Sequence, residues 1–331
     1  MTKFTFFLIF SFLFSNLISA EKSNELKEFL IKKVQALGSL KKMVIAGSDN
    51  ESILESCRLA KDLKVVDCVL VGDKKSTLEI AKKANIDISD FEMIDVQGGE
   101  VESAKTAVKL VHDGKADMYC KGSVETKVAI QAVLNKEYGL RRGTISSVSV
   151  FNNPEKKKLL FMTDATIRPY PNLQEKVTLI NSAVELAAAL GIKNPKVAPL
   201  AAIEVVNPKF PETVEADELT KMNDRGEIKN CIVDGPLSFD LAIDPEAARL
   251  KKITHRKIQG DADILLFPNL HAANIGYKMF THIAKWSGGN VITGTSRPVV
   301  VPSRSDSSDN KLHSILLAAL YADYLAKMEK K

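Results

Sequence analysis

The 331-residue sequence is poor in the residues that build disulfide scaffolds and metal centres. Its four cysteines, Cys57, Cys68, Cys120 and Cys231, are widely spaced, and each lies in or beside an apolar stretch. That spacing argues against a disulfide framework and for buried, reduced thiols. CxxC and HExxH are both missing and the five histidines do not cluster, so the sequence offers no zinc site. No GxGxxG follows a strand and there is no GxxxxGKS/T, which leaves Rossmann and P-loop readings without a motif. GxSxG is also missing, against an α/β-hydrolase. Charge of one sign is scarce too: 46 basic residues face 41 acidic ones, a net charge of +5 with no basic stripe. Nucleic-acid binding is not expected, although anionic small molecules could be favoured locally.

The one long apolar run is at the start. MTKFTFFLIFSFLFSNLISA has one lysine, an apolar stretch to Ile18, and small residues at Ser19 and Ala20. This is the form of a secretory signal peptide. An uncleaved anchor is the second reading, the run being short against the ~20 residues a spanning helix needs. A misassigned start codon is the third. Residues 1–20 are thus a leader outside the folded part, and a membrane is implied only if that leader is an anchor. The thiols suit a reducing compartment, whereas the leader points to the secretory pathway or an organelle.

From Ser23 onward, short apolar runs alternate with longer amphipathic stretches. KKMVIAG reads as a strand ending at Gly47, and SDNESILESCRLAKDL as a helix with Ile53, Leu54, Cys57 and Ala60 on one face and Ser48 or Asp49 as its N-cap. VVDCVLVG is a second strand, with helices expected over about 76–84 and 124–135. The strands TISSVSVF and KLLFMTD flank a turn at Asn152–Asn153–Pro154, an antiparallel hairpin. A second series comes after it: a helix from Leu173 to Leu190, the strands VAPLAAI, NCIVDG, DILLF and NVITG, and a last helix from Ser308 with Leu312, Ile315, Leu316, Ala319, Leu320 and Leu325 facing the core. The expected fold is α/β: two lobes with mainly parallel sheets, helices on both faces and a cleft between them. The first lobe takes residues 21–140 and 296–331, the second 141–295.

Four polar segments fall where strands end. They contain Asp164 and Arg168; Asp224, Arg225 and Asp234; Asn269, Asn274, Tyr277 and Lys278; and the run VPSRSDSSDNKL at 301–312. Strand-to-helix turns of this kind suit a polar or phosphorylated ligand. Each residue also has a plainer role: the aspartates could cap helices or close turns, Arg225 could pair with a nearby carboxylate, and Tyr277 and Lys278 could form a solvated face.

The segments KMNDRGEIKNCIVDGPLSFD, DILLFPNLHAANIGYK and PVVVPSRSDSSDNKL, with MTDATIRPYPNLQEKV and GIKNPKVAPLAAIEVVNPKFP, resemble the phosphate acetyl/butyryl transferases over residues 40–325. The SRxDSS form and the DRG–DGP block are similar to the butyryl branch. The resemblance implies acyl transfer between coenzyme A and phosphate: acyl-CoA, inorganic phosphate and acyl phosphate as partners, no tightly bound cofactor, coenzyme A as substrate, a cytoplasmic setting and a homodimer. It also implies Ser303 at the carbonyl oxygen and Arg304 on phosphate, whose planar fork suits phosphate oxygens. Asp309 or Asp306 is then the proton acceptor, or else a water or the leaving phosphate, with Asn274, Lys278, Asp164, Arg225 and Asp234 as further binding candidates. Asp306 and Asp309 could instead cap the last helix. The sequence departs from the family pattern at Asn310, where the acetyl branch has an aspartate; at Gln131, where an arginine is expected and Arg141 or Arg142 could substitute; and at His271. Two alternatives stay open: a non-catalytic module that binds acyl-CoA or acyl phosphate, and a metal-dependent hydroxyacid dehydrogenase on a similar two-lobed fold.

Overall fold

The computed structural model describes residues 25–303 and 306–330, so the leader lies outside the described residues. Helical residues 25–35 (α1) precede β1 (Lys41–Ala46), α2 (Glu51–Asp62), β2 (Val66–Gly72), α3 (Lys74–Lys83), β3 (Glu92–Asp95), α4 (Gly99–His112), β4 (Met118–Lys121) and α5 (Thr126–Val133). The expected hairpin is β5 (Arg141–Asn153) and β6 (Lys158–Thr163). Its turn is closed by Asn153, whose Oδ1 accepts from the N–H groups of Glu155 and Lys156 at 3.1 and 3.2 Å. Then come α6 (Leu173–Ala189), β7 (Lys196–Pro199), α7 (Pro211–Asp224), β8 (Ile232–Val233), the short α8 (Phe239–Ile243) and α9 (Pro245–Leu250), and β9 (Ile264–Leu266). The chain ends with α10 (Leu270–Lys278), which runs into a π-helical turn at Met279–Ile283, followed by β10 (Gly288–Thr295), β11 (Val299–Val300) and α11 (Ser308–Glu329).

All the strands share one sheet, in the order β3-β2-β1-β4-β11-β10-β5-β6-β9-β7-β8. The strands assigned to two lobes from the sequence thus lie in one continuous sheet. Pairing is parallel within β3-β2-β1-β4-β11 and within β6-β9-β7-β8. Three antiparallel pairings in the middle, β11/β10, β10/β5 and β5/β6, reverse the sense, so the parallel blocks run in opposite directions.

Strand periodicity sorts the core into layers. Met43, Ile45, Cys68, Leu70, Phe161, Ile264 and Leu266 face one side, where α1, α2, α6 and α11 cover both halves with a common core. The alternating residues Val44, Ala46, Val69 and Val71 face α4 and α5, and Leu160, Met162 and Leu265 face α8 and α10. The four cysteines are buried and free, as their apolar surroundings suggest.

The last helix buries Leu312, Ile315, Leu316, Ala319, Leu320 and Leu325, the stripe expected from its spacing. It lies against β10 so closely that a Cβ on Gly289 would sit 2.7 Å from the Ser314 nitrogen. One helix start differs from expectation. The cap of α2 is Asn50, whose side chain accepts from Ile53 N–H at 3.1 Å. Ser48 is engaged with Thr77 of α3 instead, at 2.8 Å, and Asp49 accepts from the hydroxyl of Ser123 in the loop after β4.

Two predictions concern α11. Gly289→Ala should destabilise the protein by about 1–3 kcal/mol or more in denaturant unfolding, because the backbone has little room to retreat. His313, on the same helix, is fully buried, and that burial pushes its imidazole down to about 4. The unfolded chain takes up this proton near pH 6.5 and the folded chain does not. Stability is therefore lost as pH falls from about 6.5 toward 4, by roughly 3 kcal/mol from this group. Unfolding free energies of the wild type and His313→Leu should diverge by about this amount across that range.

Candidate active site

After β11 the chain buries Val301 and Pro302 and then turns. Asp306 N–H donates to the Ser303 carbonyl at 3.1 Å, and Ser303 N–H donates back to Asp306 Oδ2 at 2.8 Å. This pair of bonds closes the turn and leaves Ser303 half-buried beside the Asp306 carboxylate. Arg304 lies outside the described residues. The cap of α11 is Ser307, accepting from Asn310 N–H at 3.2 Å, so neither Asp306 nor Asp309 serves as the cap. Asn310, at the departure from the acetyl branch, turns its Oδ1 to Gly288 N–H at 3.3 Å.

The facing wall comes from the other half of the sheet. Asn269 caps α10 by accepting from Ala272 N–H at 3.0 Å, which starts the helix just beyond β9. Leu270, Asn274, Tyr277 and Lys278 then fall on one face, at spacings of four, three and one. Asn274 Nδ2 donates to the Ala165 carbonyl at 3.0 Å and ties α10 to the loop after β6. That loop is shaped by Asp164, which is buried and accepts from Ser147, Thr166 and Ile167 N–H at 3.1, 2.8 and 2.9 Å. Asp164 therefore closes a turn, the plainer of the two roles open to it, and positions its neighbours.

Between these walls is a cavity of about 320 Å³ lined by Ser303, Asp306, Asn274, Tyr277 and Lys278, with Thr126 and Thr166 at its sides and Asn290 from β10. Tyr277 Oη donates across it to Asp306 Oδ1, a long contact of 3.5 Å. Burial, and then the Asp306 carboxylate, push the Tyr277 phenol above its ordinary value, so it stays protonated and a donor. The Lys278 ammonium lies 5.3 Å from the centre of the Tyr277 ring. The site thus joins a serine hydroxyl, a carboxylate, a phenol and a lysine on opposite walls. These are the groups needed to polarise a carbonyl, take a proton and hold an anion.

Other sequence candidates are elsewhere. Asp309 points away and pairs with Lys27 at 3.0 Å, because a helical step of about 100° separates it from its neighbours on the pocket side. Arg225 is exposed and held by Glu218 and Glu227 at 2.8 and 2.6 Å, the local pairing open to it from sequence. Asp234 is buried but spent on Arg256 at 3.2 Å and Ile258 N–H at 2.9 Å. Asp224 pairs with Lys257. Arg142 pairs with Glu185 at 3.1 Å, and neither it nor Arg141 lines the cavity. Thr126, Thr166 and Asn290 went unnoticed in the sequence because no motif or periodicity marks them. Among the described residues, no group of three His, Cys, Asp or Glu side chains is arranged to hold a metal ion.

A family model described as phosphate acetyl/butaryl transferase matches residues 100–319. Phosphate butyryltransferase of Clostridium acetobutylicum is 46% identical over 294 residues, 88% of this chain and 97% of that protein. Phosphate acetyltransferase of Thermotoga maritima is 38% identical over 89% of this chain and 100% of that one. The crystal structure of a branched-chain phosphotransacylase from Enterococcus faecalis superposes with a TM-score of 0.77 at 31% identity, covering 86% of this chain and 99% of that one. These likenesses favour neither a non-catalytic binding module nor a dehydrogenase. The chain belongs to the phosphate acetyl/butyryl transferase family, on its butyryltransferase-like branch, and is a phosphate acyltransferase.

Proposed function

We propose that the cavity between the 303–306 turn and α10 transfers short acyl groups between coenzyme A and phosphate by direct attack in a ternary complex. The observation that carries this reading is the meeting of Ser303 and Asp306 with Tyr277 and Lys278 across one cavity of about 320 Å³. In the direction of acyl-CoA formation, the CoA thiol loses its proton to Asp306 and its sulfur attacks the carbonyl carbon of the acyl phosphate. The tetrahedral oxyanion is steadied by the Ser303 hydroxyl. Collapse breaks the carbon–oxygen bond and releases phosphate, the anion for which Lys278 and Arg304 supply positive charge. Asp306 is favoured over Asp309 as acceptor because it lines the cavity while Asp309 is paired with Lys27. The apolar part of the lining is limited to Ala165, Leu270, Val301 and Pro302, which suits a short acyl chain such as butyryl.

The homodimer is part of the same proposal. It is supported by the opposite face of α10, where Ile275 and Met279, with Phe239 and Phe280, line an apolar groove of about 560 Å³. Ile275, Met279 and Ile283 are 62, 52 and 75% exposed, a cluster of the kind that marks protein–protein contact sites. A cytoplasmic location is supported by the substrates and by the free thiols.

Release of the CoA thiol from acetyl-, propionyl- and butyryl-CoA should depend on phosphate. Folded protein that releases none of them would sink the reading. Ser303→Ala should lower kcat by ~10²–10³-fold and Asp306→Asn by ~10²-fold or more. Asp309→Asn, which breaks a half-buried ion pair away from the cavity, should stay within about threefold. Arg304→Ala should raise the phosphate KM strongly, and wild-type phosphate dependence would remove Arg304 from the site.

A further inference from the structure

The turn that carries Ser303 is held from behind by a buried charge. Lys311, in the first turn of α11, is only 4% exposed. Its ammonium donates to the Asp306 carbonyl at 2.7 Å and to Ser52 Oγ, on α2, at 2.8 Å. Ser52 Oγ in turn donates to Oδ1 of Asn50, the cap of α2, at 3.0 Å. One turn along α2, Ser56 Oγ donates to the Ser308 carbonyl at 3.0 Å. The start of α11 and the 303–306 turn are thus fastened to the first two turns of α2.

The two direct Lys311 acceptors are neutral, and the Asp306 and Glu55 carboxylates attract the ammonium without forming an ion pair with it. Desolvation outweighs that attraction and holds the lysine below its ordinary value, a cost that a methionine of similar length would not incur. Stability alone therefore gives little reason for a lysine here. The charge-assisted bond to the Asp306 carbonyl gives one, because the other side of that residue fixes Ser303 through the 2.8 Å bond to its N–H. From the cavity, the order is Ser303, then Asp306, then Lys311.

We infer that Lys311 is a positioning residue of the transfer reaction, setting the Ser303–Asp306 turn at the height at which the serine hydroxyl meets the substrate carbonyl. The inference rests on Ser303 and Asp306 acting in the transfer step. Lys311 itself is not among the residues lining the cavity and touches no reacting atom. Its effect is on geometry, and small displacements of a reacting group are costly, ~10²-fold for an ångström.

Lys311→Met in the full chain separates the two roles. A space-filling role predicts equal or higher thermal stability with unchanged turnover. The positioning role predicts the same stability with kcat lowered ~10–100-fold, as for residues that orient a site from behind, while the KM for butyryl-CoA moves by less than about threefold. Lys311→Ala should regain part of its kcat when a primary alkylammonium salt is added, and Lys311→Met, its space filled, should not. Folded Lys311→Met with wild-type kcat would overturn the inference. If that variant does not fold, Ser52→Ala, which removes one acceptor and leaves the lysine, should lower kcat several-fold, and an unchanged kcat there overturns it equally. Wild-type turnover in Ser303→Ala and Asp306→Asn would instead sink the functional reading on which it rests.

Discussion

The pairing of β10 with β5 is the constraint on which the rest of the molecule depends. Each parallel block would otherwise end in an open edge of unpaired N–H and C=O groups, and those groups must find partners when buried. The pairing runs from Gly288 opposite Phe151 to Thr295 opposite Arg141, with an irregularity before Thr295. After β10 the chain turns back at once as β11, antiparallel to β10, pairs with β4, and delivers the Ser303 turn next to Asn290. The seam between the two halves and the position of Ser303 are thus set by the same strands.

The site is built with hydrogen bonds whose partners lie far apart in the chain. A single such bond contributes about 1 kcal/mol net, but leaving one of these buried groups unpaired would cost more than the bond itself gains. Asp306 joins the two walls, accepting from Ser303 on its own turn and from Tyr277 on α10. Asp164 does the same one layer deeper, gathering three backbone N–H groups so that Ala165 and Thr166 stand beside the cavity. Helix α10 has two unlike faces: Asn274, Tyr277 and Lys278 toward the cavity, Ile275 and Met279 toward the apolar groove. A second chain seated on that groove would brace α10 from behind without entering the chemistry.

Much of the fold was legible because it follows from local periodicity. The β5–β6 turn at Asn153, the stripe on α11 and most of the strands follow from patterns of two or four residues, whereas the short strands β3, β4 and β11 carry too few residues to show one. Which aspartate belongs to the site was not legible in the same way. Asp306 and Asp309 lie three residues apart in a serine-rich run, and either fits a cap or a base. Only the placement of Lys27 against one and Ser303 and Tyr277 against the other separates them. Lys311 left a faint signal: it stands four residues before Ile315, on the stripe that faces the core, where a lysine is out of place.

By itself the sequence determined the alternation of strands and helices, the hairpin in the middle of the chain and the polar segments at strand ends. These depend on residue types within a few positions, which sample the same local geometry in any surroundings. The tertiary structure alone decided that the two halves share one sheet, that Asp164, Arg225 and Asp234 serve turns and ion pairs, and that Thr126, Thr166 and Asn290 border the cavity. Such outcomes depend on which distant groups compete for a side chain's hydrogen bonds. That competition is settled only when β10 pairs with β5 and α10 is brought opposite the Ser303 turn.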